Sequence, residues 1–197
     1  MITDTVTEQV VLLTESGEPA GVTDKATVHH LDTPLHLAFS CYLFNNAGQL
    51  LLTRRAASKA TWPGVWTNSC CGHPAPGESL TEAVGRRLAD ELGAAAFEVT
   101  LALPRFRYRA VMTNGLVENE MCPVFRAYTE ADPNPVPAEV DAFEWVDWST
   151  LVDAVIAGER AVSPWCLDQI TQLAAFPRDP RQWPVGDPAT LPPAALP

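Results

Sequence analysis

The segment Thr67-Asn68-Ser69-Cys70-Cys71-Gly72-His73-Pro74, followed by Ser79-Leu80-Thr81-Glu82 and closed at Leu92-Gly93, organises the reading of this chain. Ser79 and Glu82 have the spacing of a capping box, in which each side chain satisfies a free backbone N–H of the other. Leu80, Ala83, Val84, Leu88 and Leu92 continue at helical spacing, and Gly93 accepts the left-handed conformation that stops a helix. A helix is therefore predicted just after a small, polar, nucleophile-rich loop that Trp62 and Trp66 precede. Cys71 beside His73 admits two readings, a thiol activated by its surroundings or a small buried apolar side chain. Arg87 and Glu91, four residues apart on the helix, suit an ordinary helical ion pair.

Outward from this segment, β-prone runs occur at residues 10–13, 35–44, 50–54, 99–110, 117–128 and 143–148. Asn45-Asn46-Ala47-Gly48 and Thr113-Asn114-Gly115 carry turn residues, so each is expected to join an antiparallel pair. Ser149 and Ser163 are predicted to cap two later helices, the second with Pro164 at its first position, where a missing N–H costs nothing. The expected architecture is α+β, a mixed or antiparallel sheet flanked by helices. Residues 1–176 are read as a single domain. Residues 177–197 hold seven prolines, a composition that favours an extended polyproline-like tail with no chemistry of its own, pinned by Trp183 if at all.

The 197 residues include 13 Lys plus Arg against 24 Asp plus Glu, a formal net charge of −11. A chain this long with 47% hydrophobic residues buries roughly 70% of its unfolded surface, which excludes general disorder. The acidic balance argues against nucleic acid and anionic membranes as partners. Between Thr33 and Gly77, however, there is no acid at all, and Arg54, Arg55 and Lys59 lie in that window. Cations gathered in one stretch of an acidic chain suit a small anion. Cys41, Cys70, Cys71, Cys122 and Cys166 are odd in number and are read as reduced thiols. Without a spanning apolar run or a signal-like N-terminus, the chain is expected in the cytoplasm.

His29, His30, His36 and His73 are the only histidines. Glu118 and Glu120, two apart in a predicted strand, project from the same face and repel unless a cation lies between them. Three imidazoles with two carboxylates would suit Mn²⁺, Zn²⁺ or Fe²⁺ better than an all-oxygen Mg²⁺ site, although scattered His and Glu are commonly surface residues. A hairpin centred on Asn114 sets Tyr108 opposite Glu120, either as an ordinary cross-strand pair or as a proton-sharing one.

Gly72, Glu78 and the run Arg86-Arg87-Leu88-Ala89-Asp90-Glu91-Leu92-Gly93-Ala94 resemble a Nudix box, with Arg87 and Asp90 where the box has glutamates. Those departures remove part of the acidic cluster on which Nudix pyrophosphohydrolases rely. More broadly, residues 10–165 are similar to the type I isopentenyl-diphosphate isomerases, the Nudix-fold branch with a degenerate box. The resemblance is carried by Asp32 to Ser40, Leu52-Thr53-Arg54-Arg55, Trp62 to Ser69, Cys71-Gly72-His73-Pro74, Phe106 to Ala110, Val117-Glu118-Asn119-Glu120 and Ser163-Pro164-Trp165.

The resemblance implies a Nudix-like fold and a metal site of His29, His36, His73, Glu118 and Glu120, holding Mn²⁺, Zn²⁺ or Mg²⁺. It implies Cys71 and Glu120 as proton carriers with Tyr108 as partner, and Trp165 beside a carbocation. Lys25, Arg55, Lys59 and Arg87 would contact the diphosphate, and Glu91 would hold a second ion, Mg²⁺, that bridges to it. His30 and Cys70 receive no role. The implied reaction converts isopentenyl diphosphate to dimethylallyl diphosphate, by a monomer with no nucleic acid or membrane partner. The competing expectation is a Nudix hydrolase of a nucleoside diphosphate derivative.

Overall fold

Strand-forming side chains in this chain alternate about two buried faces, and the fold follows from covering both. The structure, a computed structural model, describes residues 8–196. In chain order the strands are β1 Gln9–Leu13, β2 Pro19–Asp24, β3 His36–Leu37, β4 Phe39–Phe44, β5 Gln49–Arg55, β6 Trp66–Thr67, β7 Cys70–Gly72, β8 Phe97–Leu103, β9 Arg107–Val111, β10 Val117–Met121, β11 Val124–Tyr128 and β12 Val140–Asp147. The helices are α1 Leu80–Leu92, α2 Trp148–Ile156 and α3 Pro164–Leu173. One sheet has the order β2-β1-β3-β10-β9; the other runs β12-β5-β4-β11-β8, with β6 on β5 and β7 on β4. The expected α+β class with mixed sheets and flanking helices is what is found, with two sheets in place of one.

Side chains alternate across β4 and β5. Tyr42, Phe44, Leu50 and Leu52 face a core shared with Trp148 of α2 and Trp165 and Ile170 of α3. Cys41, Leu43 and Leu51 face the opposite core with Val84, Leu88 and Leu92 of α1. The larger sheet is thus sandwiched between α1 and the α2/α3 pair. The α1 termini follow the sequence expectation: the Ser79/Glu82 capping box is complete, and Gly93 ends the helix at φ 59°.

Two runs read as continuous, 35–44 and 117–128, each cross from one sheet to the other. They travel side by side, since β10 pairs parallel with β3 and β11 parallel with β4. The breaks fall at Ala38 and at Cys122-Pro123, where proline has no N–H for a ladder. Pairing persists across the break through Ala38 N–H to the Met121 carbonyl (2.9 Å) and Ser40 N–H to the Pro123 carbonyl (3.1 Å). The run 99–110 is likewise split, by Pro104-Arg105-Phe106. Strand β2 escaped the periodicity reading because it is an edge strand, exposed along almost its whole length.

The predicted Ser149 cap is corrected. Helix α2 starts at Trp148, so Ser149 already lies within it, and Asp147 caps by accepting the Thr150 N–H at 2.8 Å. Ser163 caps α3 with Pro164 in its first turn, as expected. All five cysteines are free thiols.

The extended polyproline backbone expected after residue 176 is interrupted by 3-10 turns at Pro180–Gln182, Pro188–Thr190 and Pro193–Ala195. This segment lies against the body. Trp183 is buried edge-on to Phe44 and Trp148, with centroids 5.6 and 5.2 Å away, and its Nε1–H reaches the Pro177 carbonyl at 3.0 Å. Arg126 donates to the carbonyls of Pro180 and Trp183, Gly186 N–H to Leu101, and Ala194 N–H to Gly17. Replacing Trp183 by Ala is therefore expected to cost about 3–5 kcal/mol, the usual loss for a buried Trp, measured by urea unfolding; a loss below about 1 kcal/mol would show that the segment adds little to the core.

Candidate active site

Tyr108 and Glu120 face each other across the β9/β10 hairpin, in the register read from the turn. Glu118 and Glu120 are both buried, and the Tyr108 hydroxyl lies 3.0 Å from Glu118 Oε2 and 2.9 Å from Glu120 Oε2. Burial keeps the phenol well above its ordinary pKa, so it remains a donor. Burial, reinforced by the charge of Glu120, pushes the Glu118 carboxyl up.

The parallel register Glu120↔His36 brings imidazole to carboxylate on adjacent strands. His29 arrives from the loop after β2, and His73 from the residue after β7. Their Nε2 atoms lie 3.3 Å (His36), 3.7 Å (His29) and 3.1 Å (His73) from Glu120 Oε1. The three rings are 5.1–5.9 Å apart. Burial alone would raise the Glu120 carboxyl, but the three imidazoles gathered around it outweigh burial and hold the group well below the usual carboxylate range. Burial lowers His73 to about 4, leaving a neutral ring with a free lone pair.

These residues fit a divalent cation. One ligand atom from each of His29, His36, His73 and Glu120 lies within 4.8 Å of the others. The Nε2 atoms of His29 and His36 are buried without a hydrogen-bond partner. His36 Nδ1 donates to the Pro34 carbonyl at 2.9 Å, which fixes the tautomer that leaves its Nε2 lone pair available. Glu118, predicted as a ligand, is not in this convergent group; it is joined to it through Tyr108.

A cavity of about 450 Å³ opens beside the cluster, and every predicted site residue except the more deeply buried His36 lines it. Its lining includes Cys71, Tyr108 and Trp165. Burial pushes the Cys71 thiol up to about 11, so it stays protonated at neutral pH. Trp165 lies 5.6 Å from the Tyr108 ring, and the Arg55 guanidinium is 5.8 Å from the Trp165 centroid.

The same cavity is lined by the cations Lys25, Arg55, Lys59 and Arg87 and by acids that the sequence reading did not single out. Lys25 pairs with Glu8 at 2.6 Å, Lys59 with Glu139, and Arg87 with Glu91, while Glu139 also lies 3.6 Å from Arg87. Arg55 donates to the Thr61 carbonyl at 3.1 and 2.9 Å. Glu8 and Glu139 had no motif to mark them; only the fold brings them to Lys25 and Lys59.

The NUDIX domain model matches residues 34–166. The chain belongs to the Nudix family. This Nudix chain is 61% identical over 189 residues to a protein of Saccharopolyspora erythraea named isopentenyl-diphosphate Delta-isomerase, spanning 96% of this chain and 97% of that one. A Rhizobium rhizogenes protein of the same name is 53% identical over 189 residues, spanning 95% and 90%. Among solved structures, DR0079 from Deinococcus radiodurans matches with TM-score 0.63 at 22% identity, over 84% of this chain and 98% of that one. A MutT protein from Methanosarcina mazei Go1 matches at 0.55 and 21%, over 72% and 94%. These two likenesses concern the fold.

The Nudix box of this chain is altered in space as well as in sequence. Among Glu78, Asp90 and Glu91, only Glu91 lines the cavity. Glu78 is bound by Arg86 at 2.7 Å, and Asp90 is turned outward, 3.9 Å from the same arginine. Arg87 occupies the buried position next to Glu91. Replacing Glu120 by Gln is expected to abolish the tightest divalent-ion site, since the three imidazoles then face a neutral amide; equilibrium dialysis with Mn²⁺ that finds undiminished binding would reject the cluster as a metal centre.

Proposed function

We infer that this chain is an isomerase that converts isopentenyl diphosphate to dimethylallyl diphosphate, a step of isoprenoid biosynthesis. The observation that carries this reading is one cavity holding two proton carriers, an aromatic face and a cationic wall, in a chain over half identical to proteins of that name.

The substrate is a diphosphate bearing an unactivated alkene. Lys25, Arg55, Lys59 and Arg87 take the diphosphate, which exchanges neutral or carboxylate partners for phosphate oxygens and anchors the five-carbon chain. A proton is then delivered to the terminal alkene carbon, the electron pair of the double bond forms the new C–H bond, and a tertiary cation is left. Loss of a proton from C2 returns an electron pair and forms the internal double bond. Cys71 and Glu120 are the two carriers, one giving and one receiving, and their roles exchange in the reverse direction. At rest the thiol is protonated and the carboxylate ionised, so the pair holds one transferable proton. Tyr108 hydrogen-bonds Glu120 and orients it. Trp165 offers its π face to the cation, a contact worth ~2 kcal/mol or more away from water.

His29, His36, His73 and Glu120, with Glu118 as fifth ligand, would hold Mn²⁺, Zn²⁺ or Mg²⁺, and Glu91 would hold a Mg²⁺ accompanying the diphosphate. When bound, these ions supply fixed positive charge that steadies Glu120 and neutralises the phosphates. Among the described residues no helix is long and apolar enough to cross a membrane, and the reading is of a monomer acting in the cytoplasm on a small molecule alone. The hydrolase alternative is disfavoured by Arg87, which replaces an acid of the hydrolytic cluster with a cation in the cavity.

Incubation with isopentenyl diphosphate and Mg²⁺ in deuterated water is expected to yield deuterium-labelled dimethylallyl diphosphate; release of phosphate without isomerisation would overturn the reading. Cys71→Ala is expected to abolish turnover while leaving bound metal unchanged, checked by product analysis beside metal analysis. Arg87→Glu, which restores the box, places a third carboxylate beside Glu91 and Glu139 and is expected to raise KM for the diphosphate at least about tenfold, the loss of one charge-assisted contact.

A further inference from the structure

Asn68 carries no role in the reading so far, yet its side chain lies between two groups that do. It is fully buried in the link between β6 and β7. Its orientation is determined from both ends. Nδ2 donates to the backbone carbonyls of Cys41 (3.2 Å) and Cys70 (2.8 Å), which can only accept, and Oδ1 faces the Trp165 Nε1–H at 3.1 Å, which can only donate. A flipped amide would oppose donor to donor and acceptor to acceptor.

The same Oδ1 lies 3.3 Å from Cys71 Sγ and accepts from Thr67 Oγ1 at 2.9 Å. On its other side, Cys71 Sγ is 3.4 Å from Ser40 Oγ, and Ser40 Oγ accepts from Gln169 Nε2 at 2.9 Å. Asn68 Oδ1 can only accept, so in that contact the Cys71 thiol is the donor, while Ser40 Oγ, also 3.3 Å from Cys122 Sγ, flanks the sulfur. One carbonyl oxygen therefore ties together the sulfur of Cys71 and the indole of Trp165, which come from β7 and α3. Strands β6 and β7 span only two and three residues, too short for their ladders alone to hold a side chain in register with a distant helix.

We propose that Asn68 is a positioning residue whose carboxamide oxygen fixes the Cys71 thiol and the Trp165 indole relative to each other, so that the proton carrier and the aromatic face meet the same five-carbon substrate in one geometry. The proposal rests on the roles given above to Cys71 and Trp165. The cation exists only around the moment of proton transfer, so the aromatic face must already be in place; a misplacement of about 1 Å costs on the order of 100-fold in rate. The diphosphate wall is built from other residues and is unaffected.

The test is steady-state kinetics of full-length Asn68→Ala with isopentenyl diphosphate, in native and Trp165→Phe backgrounds, since phenylalanine has no N–H for Asn68 to hold. The expected result is a kcat lower by about 100-fold with KM changed by less than about threefold, and a smaller loss of kcat when Phe occupies position 165. An unchanged kcat, a change confined to KM, or an equal loss in both backgrounds would overturn the proposal. A parallel Cys71→Ala variant separates the two levels: turnover retained there removes the assignment of Cys71, whereas an inactive Cys71→Ala beside a fully active Asn68→Ala removes only the role of Asn68. Should Asn68→Ala fail to fold, the native chain decides. The Trp165 indole N–H, assigned by its loss in Trp165→Phe, must be protected from solvent exchange, and the S–H stretch lost in Cys71→Ala must lie at a hydrogen-bonded frequency; a rapidly exchanging indole or a free-thiol band overturns the proposal.

Discussion

The Glu120 carboxylate is ionised and buried, and one of its oxygens is approached by three imidazole nitrogens. A charge removed from water is tolerated only with such partners around it, so its surroundings are constrained in turn. Strand β10 brings Glu120 to His36 through a parallel register in which a slip of one residue would present Asn119 instead. Strand β9 brings Tyr108 through the antiparallel register of a hairpin. The third approach, by His73, depends on β7 pairing with β4, in which Cys71 lies opposite Ser40. Each pairing that builds the sheet junction also delivers one group of the site.

The cations proposed to contact the diphosphate obey the complementary rule. Buried or half-buried cations lacking substrate need counter-charges, and Glu8, Glu91 and Glu139 supply them. The net charge of −11 is thus compatible with the proposed anion site, because part of the acid offsets the cations within the cavity and most of the remainder lies on the surface. Three carboxylates face four cations, Arg55 resting on the Thr61 carbonyl instead, and phosphate oxygens or an accompanying cation would shift that balance locally.

Local signals in the sequence were strong wherever the physics is local. The capping box at Ser79, the stop at Gly93 and the turn at Asn114 each rest on residues within a few positions, and all three are found as read. The hairpin register followed from its turn, and with it the meeting of Tyr108 and Glu120. A site of three imidazoles and two carboxylates was proposed from residue types alone, but which histidines converge was not legible from spacing, because His36 meets Glu120 through a parallel pairing of residues 84 positions apart and His73 arrives through the separate β4/β7 pairing; similarity to a family singled out His29, His36 and His73. Glu8 and Glu139 had no local signal because only tertiary packing brings them to Lys25 and Lys59, and Asn68 gained meaning only through α3, which supplies Trp165. The sheet crossings at Ala38 and Pro123 were missed because an apolar run does not reveal which of two sheets each half joins.

Arg87 marks the divergence between the Nudix fold and the chemistry of this chain. In a hydrolase of this fold, clustered acids on the box helix gather divalent ions at the bond to be broken. Here Glu78 is held by Arg86, Asp90 points away, and Arg87 places a guanidinium beside Glu91, so on the proposed reading the helix would meet the diphosphate without an acidic cluster to activate water against it. The groups proposed to react line the same cavity, Tyr108 and Trp165 buried and Cys71 half-buried. In the proposed mechanism these groups shield from water a cation that would otherwise be captured as an alcohol, and Asn68, within hydrogen-bond distance of both Cys71 and Trp165, would hold the thiol in place there. The scaffold retains its grip on a diphosphate while the chemistry moves to the hydrocarbon end of the substrate.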